Sequence, residues 1–171
     1  MKQQINEIKR MQLLAGLITE SKYQESLNEA EEAQATAAIE KIEDKVADKV
    51  ENSIDNLSDE QKAQLQKTLN SLGITADSSP KEVMNMLQPR LSEMIDEAEG
   101  DTQKKVADAL SNVGGGLIKS LLVPLIPLAV GQGTGTGFAG GLAITIAVAG
   151  LLIGAAKALG NKENNTETGN Y

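Results

Sequence analysis

Up to about Val113 the apolar residues of this chain recur at helical spacing among charged ones, and beyond that point the charges disappear. Ile5, Ile8, Met11 or Gln12, Leu14 or Ala15 and Ile18 fall three or four apart, which predicts a short amphipathic helix over residues 3–19. Residues 22–57 read as a longer helix. Its first half is rich in Ala, Glu and Gln, and its second half carries Ile39, Ile42, Val46, Val50, Ile54 and Leu57 on one face. Lys41, Glu43, Asp44, Lys45, Asp48 and Lys49 are expected around the rest of that second half, so only there does the helix need a packing partner. Ser58-Asp59-Glu60-Gln61 and Ser79-Pro80-Lys81-Glu82 each place a Ser at a cap with Gln or Glu three residues on, and each predicts a helix start. The first of these helices is expected to stop at Gly73, and the second near Gly100 with a kink at Pro89. Asp101 is expected to cap a further helix through Val113, and Gly114-Gly115-Gly116 to separate this acidic helical region from the apolar one.

Between Lys119 and Lys157 there is no charged residue, although 23% of the chain is Asp, Glu, Lys or Arg. The glycine-rich run from Gly131 to Gly137 divides this region into Leu117–Val130 and Phe138–Leu159. The second segment is long enough for a hydrocarbon core of about 30 Å, and the first is somewhat short unless its glycines join it. Eight large apolar side chains in the second segment favour insertion by about 3–4 kcal/mol before glycine and Thr145 are counted against it. Lys104, Lys105 and Lys119 precede the uncharged stretch and Lys157 and Lys162 follow it, which places both flanks on the cytoplasmic side. A helical hairpin buried inside a soluble protein or oligomer satisfies the same pattern. A strand over Ile144–Ala149 has the right alternation, but the apolar run is too long for one. Pro124 and Pro127 predict a kink in the first arm. Small residues four apart, Gly137/Gly141/Thr145/Ala149 and Gly150/Gly154/Ala158, predict a close helix–helix interface, with Gly150 and Gly154 facing a partner helix and Leu151 facing lipid.

Composition narrows the chemistry. Neither His nor Cys occurs, which removes the commonest general base near neutral pH, the commonest metal ligand, the cysteine nucleophile and any disulfide. Only Lys119 and Lys157 sit in apolar surroundings, and both can reach water along their stems, so no catalytic residue is assigned. The acidic run Glu93, Asp96, Glu97, Glu99, Asp101 lacks the ligand spacing of a calcium loop, and Gly131–Gly137 has no Lys-Ser or Lys-Thr after it to bind phosphate. No cofactor and no metal are expected. A net charge of −8 argues against nucleic acid as a partner and against a polybasic membrane anchor. Aromatic residues make up 2% of the chain, so any core must be built from Leu, Ile, Val, Met and Ala. The N-terminus lacks the basic-then-apolar order of a secretory signal.

The run Ile8-Lys9-Arg10-Met11-Gln12-Leu13-Leu14-Ala15-Gly16-Leu17-Ile18-Thr19-Glu20-Ser21 resembles an N-terminal motif of small uncharacterised proteins of large tailed phages (myophages) of marine bacteria. The resemblance covers about a tenth of the chain and implies a source rather than an activity. A second, weaker resemblance is to internal head proteins of such phages, which are cut after a Leu/Ile-x-Glu triplet. It implies cleavage between Glu20 and Ser21 or between Glu29 and Ala30. Ile5-Asn6-Glu7, Leu91-Ser92-Glu93 and Ile95-Asp96-Glu97 fit the triplet equally well, so the pattern has many chance matches.

These readings give an all-α chain in four parts: a motif helix (1–21), an acidic helical region (22–113), a hydrophobic, membrane-inserting hairpin (114–160) and a polar, disordered tail (161–171). The expected function is that of a non-enzymatic, phage-encoded, membrane-associating protein, holin-like or active after ejection. Its partners are the lipid bilayer and further copies of itself, and its location is the host inner membrane or the virion. The alternative is an internal head or other virion structural or scaffold protein whose apolar hairpin packs against copies of itself, with phage structural proteins as further partners. A toxin-like bacterial pore former is a third reading.

Overall fold

A computed structural model describes residues 2–16, 19–97, 102–134 and 141–167. Among them the chain is all-α, with seven α-helices, one 3₁₀ turn and no strand: α1 (Lys2–Leu14), α2 (Glu20–Asp55), α3 (Asp59–Ser71), α4 (Pro80–Glu97), α5 (Thr102–Leu122), the 3₁₀ turn Val123–Leu125, α6 (Ile126–Thr134) and α7 (Gly141–Glu167). Contacts divide the chain into two units, Met1–Thr36 and Ala37–Tyr171. The first holds α1 and the start of α2, and the second holds everything else.

Both expected capping boxes are present. Ser58 Oγ accepts from the Gln61 backbone N–H at 3.2 Å while the Ser58 N–H donates to Gln61 Oε1 at 3.1 Å. Ser79 Oγ accepts from the Glu82 N–H at 3.3 Å, and the Ser79 N–H donates to Glu82 Oε2 at 3.1 Å. Each box satisfies two backbone groups that a helix start otherwise leaves without a partner. α3 stops at Gly73 as expected: Ser71 is its last helical residue, Leu72 is the cap, and Gly73 at φ 76° turns the chain, with the Gly73 and Ile74 N–H groups donating to the Asn70 and Leu69 carbonyls. α1 ends at Leu14 rather than running to residue 19, where the Ala15 and Gly16 N–H groups close onto the Met11 and Leu13 carbonyls. Pro89 lies inside α4. The expected stop near Gly100 and the cap at Asp101 lie outside the described residues.

Two expectations for the C-terminal half need correction, and a third is met. Two helical stretches meet across a kink at the triple glycine, where the helix break was expected, but no boundary between compact units falls there. Gly115 takes φ 74° and ψ −169°, a conformation that only glycine adopts without strain, and the helix resumes after it. Helices on both sides of the bend pack in the same unit, because the apolar faces of α3, α4 and α5 all need α7 as cover. The kink expected in the first arm is present, since Pro124 and Pro127 cannot donate backbone hydrogen bonds and the chain passes through the 3₁₀ turn into α6. Finally, the helical backbone of α7 runs on to Glu167, so residues 161–167 of the expected disordered tail extend the apolar helix by nearly two turns.

The core of the larger unit lies around α7. Every residue from Ala143 to Ala156 is buried, and so are Ala158 and Leu159. The cover comes from stripes on the surrounding helices: Ile39, Ile42, Val46, Val50 and Ile54 of α2, Leu65 and Leu69 of α3, Val83, Leu87 and Leu91 of α4, Val106, Leu110 and Ile118 of α5, and Ile126 of α6, all within 3% of full burial. A helix that is apolar on every face must be enclosed, whereas amphipathic helices need cover on one side only. Here the two requirements satisfy each other.

Candidate functional site, an enclosed apolar helix

The segment Ala143–Asn161 is 19 residues long and 89% of an apolar 18-residue window within it is buried, whereas the corresponding window of Thr102–Val130, similarly apolar, is 33% buried. At about 1.5 Å per residue the α7 segment spans roughly 28 Å, the thickness of a bilayer core. Both helices are long and apolar enough to cross a membrane, although the first is bent at Gly115 and interrupted at Pro124.

Small residues let α2 approach α7. A Cβ at Gly150 would lie 2.5 Å from Ile42 Cγ2 and 2.7 Å from Ile42 Cβ, and one at Gly154 would lie 3.0 Å from Val46 Cγ2. The row Gly150/Gly154 therefore faces a helix of the same chain. Ala158, the third member, is buried as well. Gly141 opens α7, and Gly137 lies outside the described residues. Leu151 is fully buried rather than facing outward, because the enclosure of α7 leaves no free face beside the glycine row. The candidate processing positions Glu20, Ser21, Glu29 and Ala30 are exposed on α2. A protease that takes an extended substrate has to unwind that turn of helix first.

One charged contact ties α7 to its cover. Lys157 Nζ lies 2.8 Å from Glu43 Oε1, with the Glu43 side chain 7% exposed and the Lys157 side chain 49% exposed. The approach lacks hydrogen-bonding alignment, and Glu43 Oε1 is the buried side-chain oxygen left without a hydrogen bond among the described residues. Attraction between the charges thus replaces a directed bond. Sequence reasoning put Glu43 on the solvated side of α2. Its spacing carried the missed signal, since Glu43 follows Ile39 by four and precedes Val46 by three and Val50 by seven, which puts it on the apolar stripe. Lys157 is the first charge after the uncharged stretch and the nearest group able to compensate it.

The asymmetry of this pair leads to a prediction. Lys157→Met leaves a buried carboxylate uncompensated and lowers stability by about 1–2 kcal/mol, a figure reduced from the 3–5 of a fully buried pair because Lys157 is half in water. Glu43→Met removes the buried charge itself and leaves stability within about 1 kcal/mol of the parent. Urea unfolding of the two variants and of the double variant checks this. Equal losses from both single substitutions would show that the pair is held by a directed bond after all.

Other features offer less chemistry. A shallow cleft of about 230 Å³ has a floor of Leu69, Ile74, Ala156 and Leu159 and a rim of Gln66, Asn70, Thr75 and Asp77. No group of three or more acidic, His or Cys side chains is placed to hold a metal among the described residues. No protein-family model matches the sequence, and neither a curated protein nor a solved structure matches it.

Proposed function

We propose that this is a non-enzymatic, membrane-associating protein that folds in water around α7 and gives α7 to a bilayer. The observation that carries the reading is a bilayer-length helix, apolar on every face, held by the uncharged α6 and by α2 to α5, which carry charged residues beside their buried stripes. Burial of the seven large apolar residues Ile144, Ile146, Val148, Leu151, Leu152, Ile153 and Leu159 contributes roughly 10–20 kcal/mol as an upper bound. A bilayer supplies a comparable apolar environment, so α7 itself loses little on transfer. The limiting cost is the apolar lining of α2 to α5 that its departure uncovers. Those helices can meet it by lying in the headgroup region with their apolar stripes down. Bends at Gly115 and Pro124 allow the segments around them to reorient separately.

A phage origin, and a role in lysis or after ejection, belong to the same proposal and rest on the N-terminal motif and the uncharged hairpin. So does association between copies, for which the Gly150/Gly154 row becomes free once α2 moves away. The second reading is a virion structural protein in which α7 is a permanent core helix, and the burial of 89% of its apolar window favours it.

Carbonate washing after incubation with vesicles separates the two. The membrane reading expects most of the bound protein to remain with the vesicles after the wash, together with release of an entrapped dye. Complete removal by carbonate, with the dye retained, leaves the permanent core helix as the correct reading.

A further inference from the structure

We propose that α1 is a docking element for an anionic lipid surface. The large hydrophobic side chains that stay exposed among the described residues all lie on this helix: Ile8 at 51%, Met11 at 60% and Leu14 at 79%. They succeed one another at intervals of three and share one side of α1, whereas the large apolar stripes of α2, α3 and α4 are buried. Exposure of three such residues on one helix face marks a binding surface rather than scattered surface apolarity.

Charge selects the occupant. Lys2, Lys9 and Arg10 stand against Glu7 alone in residues 1–19, a net of +2 within a chain whose net charge is −8. The chain as a whole is repelled by an anionic bilayer, whereas α1 is attracted to one; α5, with Lys104, Lys105 and Lys119 against Asp108, has the same net charge, and what sets α1 apart is its exposed apolar row. Arg10 is exposed at the edge of the Ile8/Met11/Leu14 row and Lys9 is half-buried away from it, while Glu7, four residues before Met11, is exposed on the same side as the row. A second copy of the chain is a poorer occupant. Three partly exposed side chains offer far less than the roughly 800 Å² per partner that a stable protein interface buries. A lipid surface needs no such complementary area.

Docking of this kind rests on the membrane reading for its purpose but not for its physics, because it precedes and does not require transfer of α7. It is therefore sensitive to salt and to carbonate, whereas an inserted α7 is not. The test is flotation of the full chain with vesicles of phosphatidylcholine alone and with vesicles containing phosphatidylglycerol, at low and high salt. The variants are Ile8→Asp with Met11→Asp, which removes the apolar row, and Lys9→Gln with Arg10→Gln, which keeps helix propensity while removing two cations.

We expect binding that depends on phosphatidylglycerol, weakens at high salt, falls at least about tenfold in Lys9→Gln/Arg10→Gln, and drops to the phosphatidylcholine level in Ile8→Asp/Met11→Asp. An unchanged urea midpoint in both variants confirms that the larger unit is intact. Equal flotation on both vesicle types, or flotation unaffected by either variant, overturns the proposal. A concentration-dependent dimer abolished by Met11→Asp, without lipid binding, overturns it in favour of a second copy. A carbonate-resistant fraction that survives in all variants leaves the role of α7 standing while the role of α1 falls.

Discussion

Gly150→Leu is expected to destabilise the folded chain by roughly 3 kcal/mol or more, the upper range for forcing side-chain volume into a packed core. The first added atom already meets Ile42 Cβ at 2.7 Å, and that atom is fixed to the backbone of α2. Ile42 is also β-branched and has one comfortable rotamer in a helix, so it cannot swing aside. The two helices must separate, and the buried stripe from Ile39 to Ile54 separates with them. For a chain of this size the loss corresponds to a fall in melting temperature of about 6–12 °C. Gly154→Ala should be close to neutral, because a single methyl of Val46 at 3.0 Å can yield and alanine gains about 1 kcal/mol of helix propensity over glycine. Thermal and urea unfolding of both variants checks the contrast. An unchanged midpoint for Gly150→Leu would show that α2 does not rest on this face of α7.

The contrast between these glycines shows how much of the fold was readable from sequence. Helix starts at Ser58 and Ser79 were legible because a capping box is local chemistry, complete within four residues. The stripe on the second half of α2 was legible because period identifies the buried face without naming what covers it. What remained hidden was the identity of the cover. A row of small residues at Gly150 and Gly154 states that something approaches closely, and the same row serves a second copy in lipid or an Ile of the same chain in water. Leu151 was misplaced for the same reason, since its exposure depends on which solvent surrounds α7. The triple glycine looked like a boundary because composition changes there. Only the packing of α3, α4 and α5 on a common partner shows that the core continues across it. Glu43 was hidden by its type, since a carboxylate is ordinarily solvated and its register on the stripe was outweighed by that expectation.

The central claim is that α7 leaves its enclosure to enter a bilayer, and a covalent lock tests it directly. The chain contains no cysteine, so the pair Val46→Cys and Gly154→Cys introduces the sole thiols. A Cβ at 154 lies 3.0 Å from Val46 Cγ2, close enough for sulfurs on the two Cβ atoms to bond with little movement of either helix. Single-cysteine variants serve as controls for the substitutions themselves. Dye release from vesicles and carbonate-resistant binding are measured with the lock closed and again after reduction in the same tube. The account predicts that both activities are nearly abolished in the oxidised form, with α7 tied to α2, and return to the level of the single-cysteine controls on reduction. Full activity with the disulfide demonstrably closed would contradict it, because α7 would then never have left the protein core.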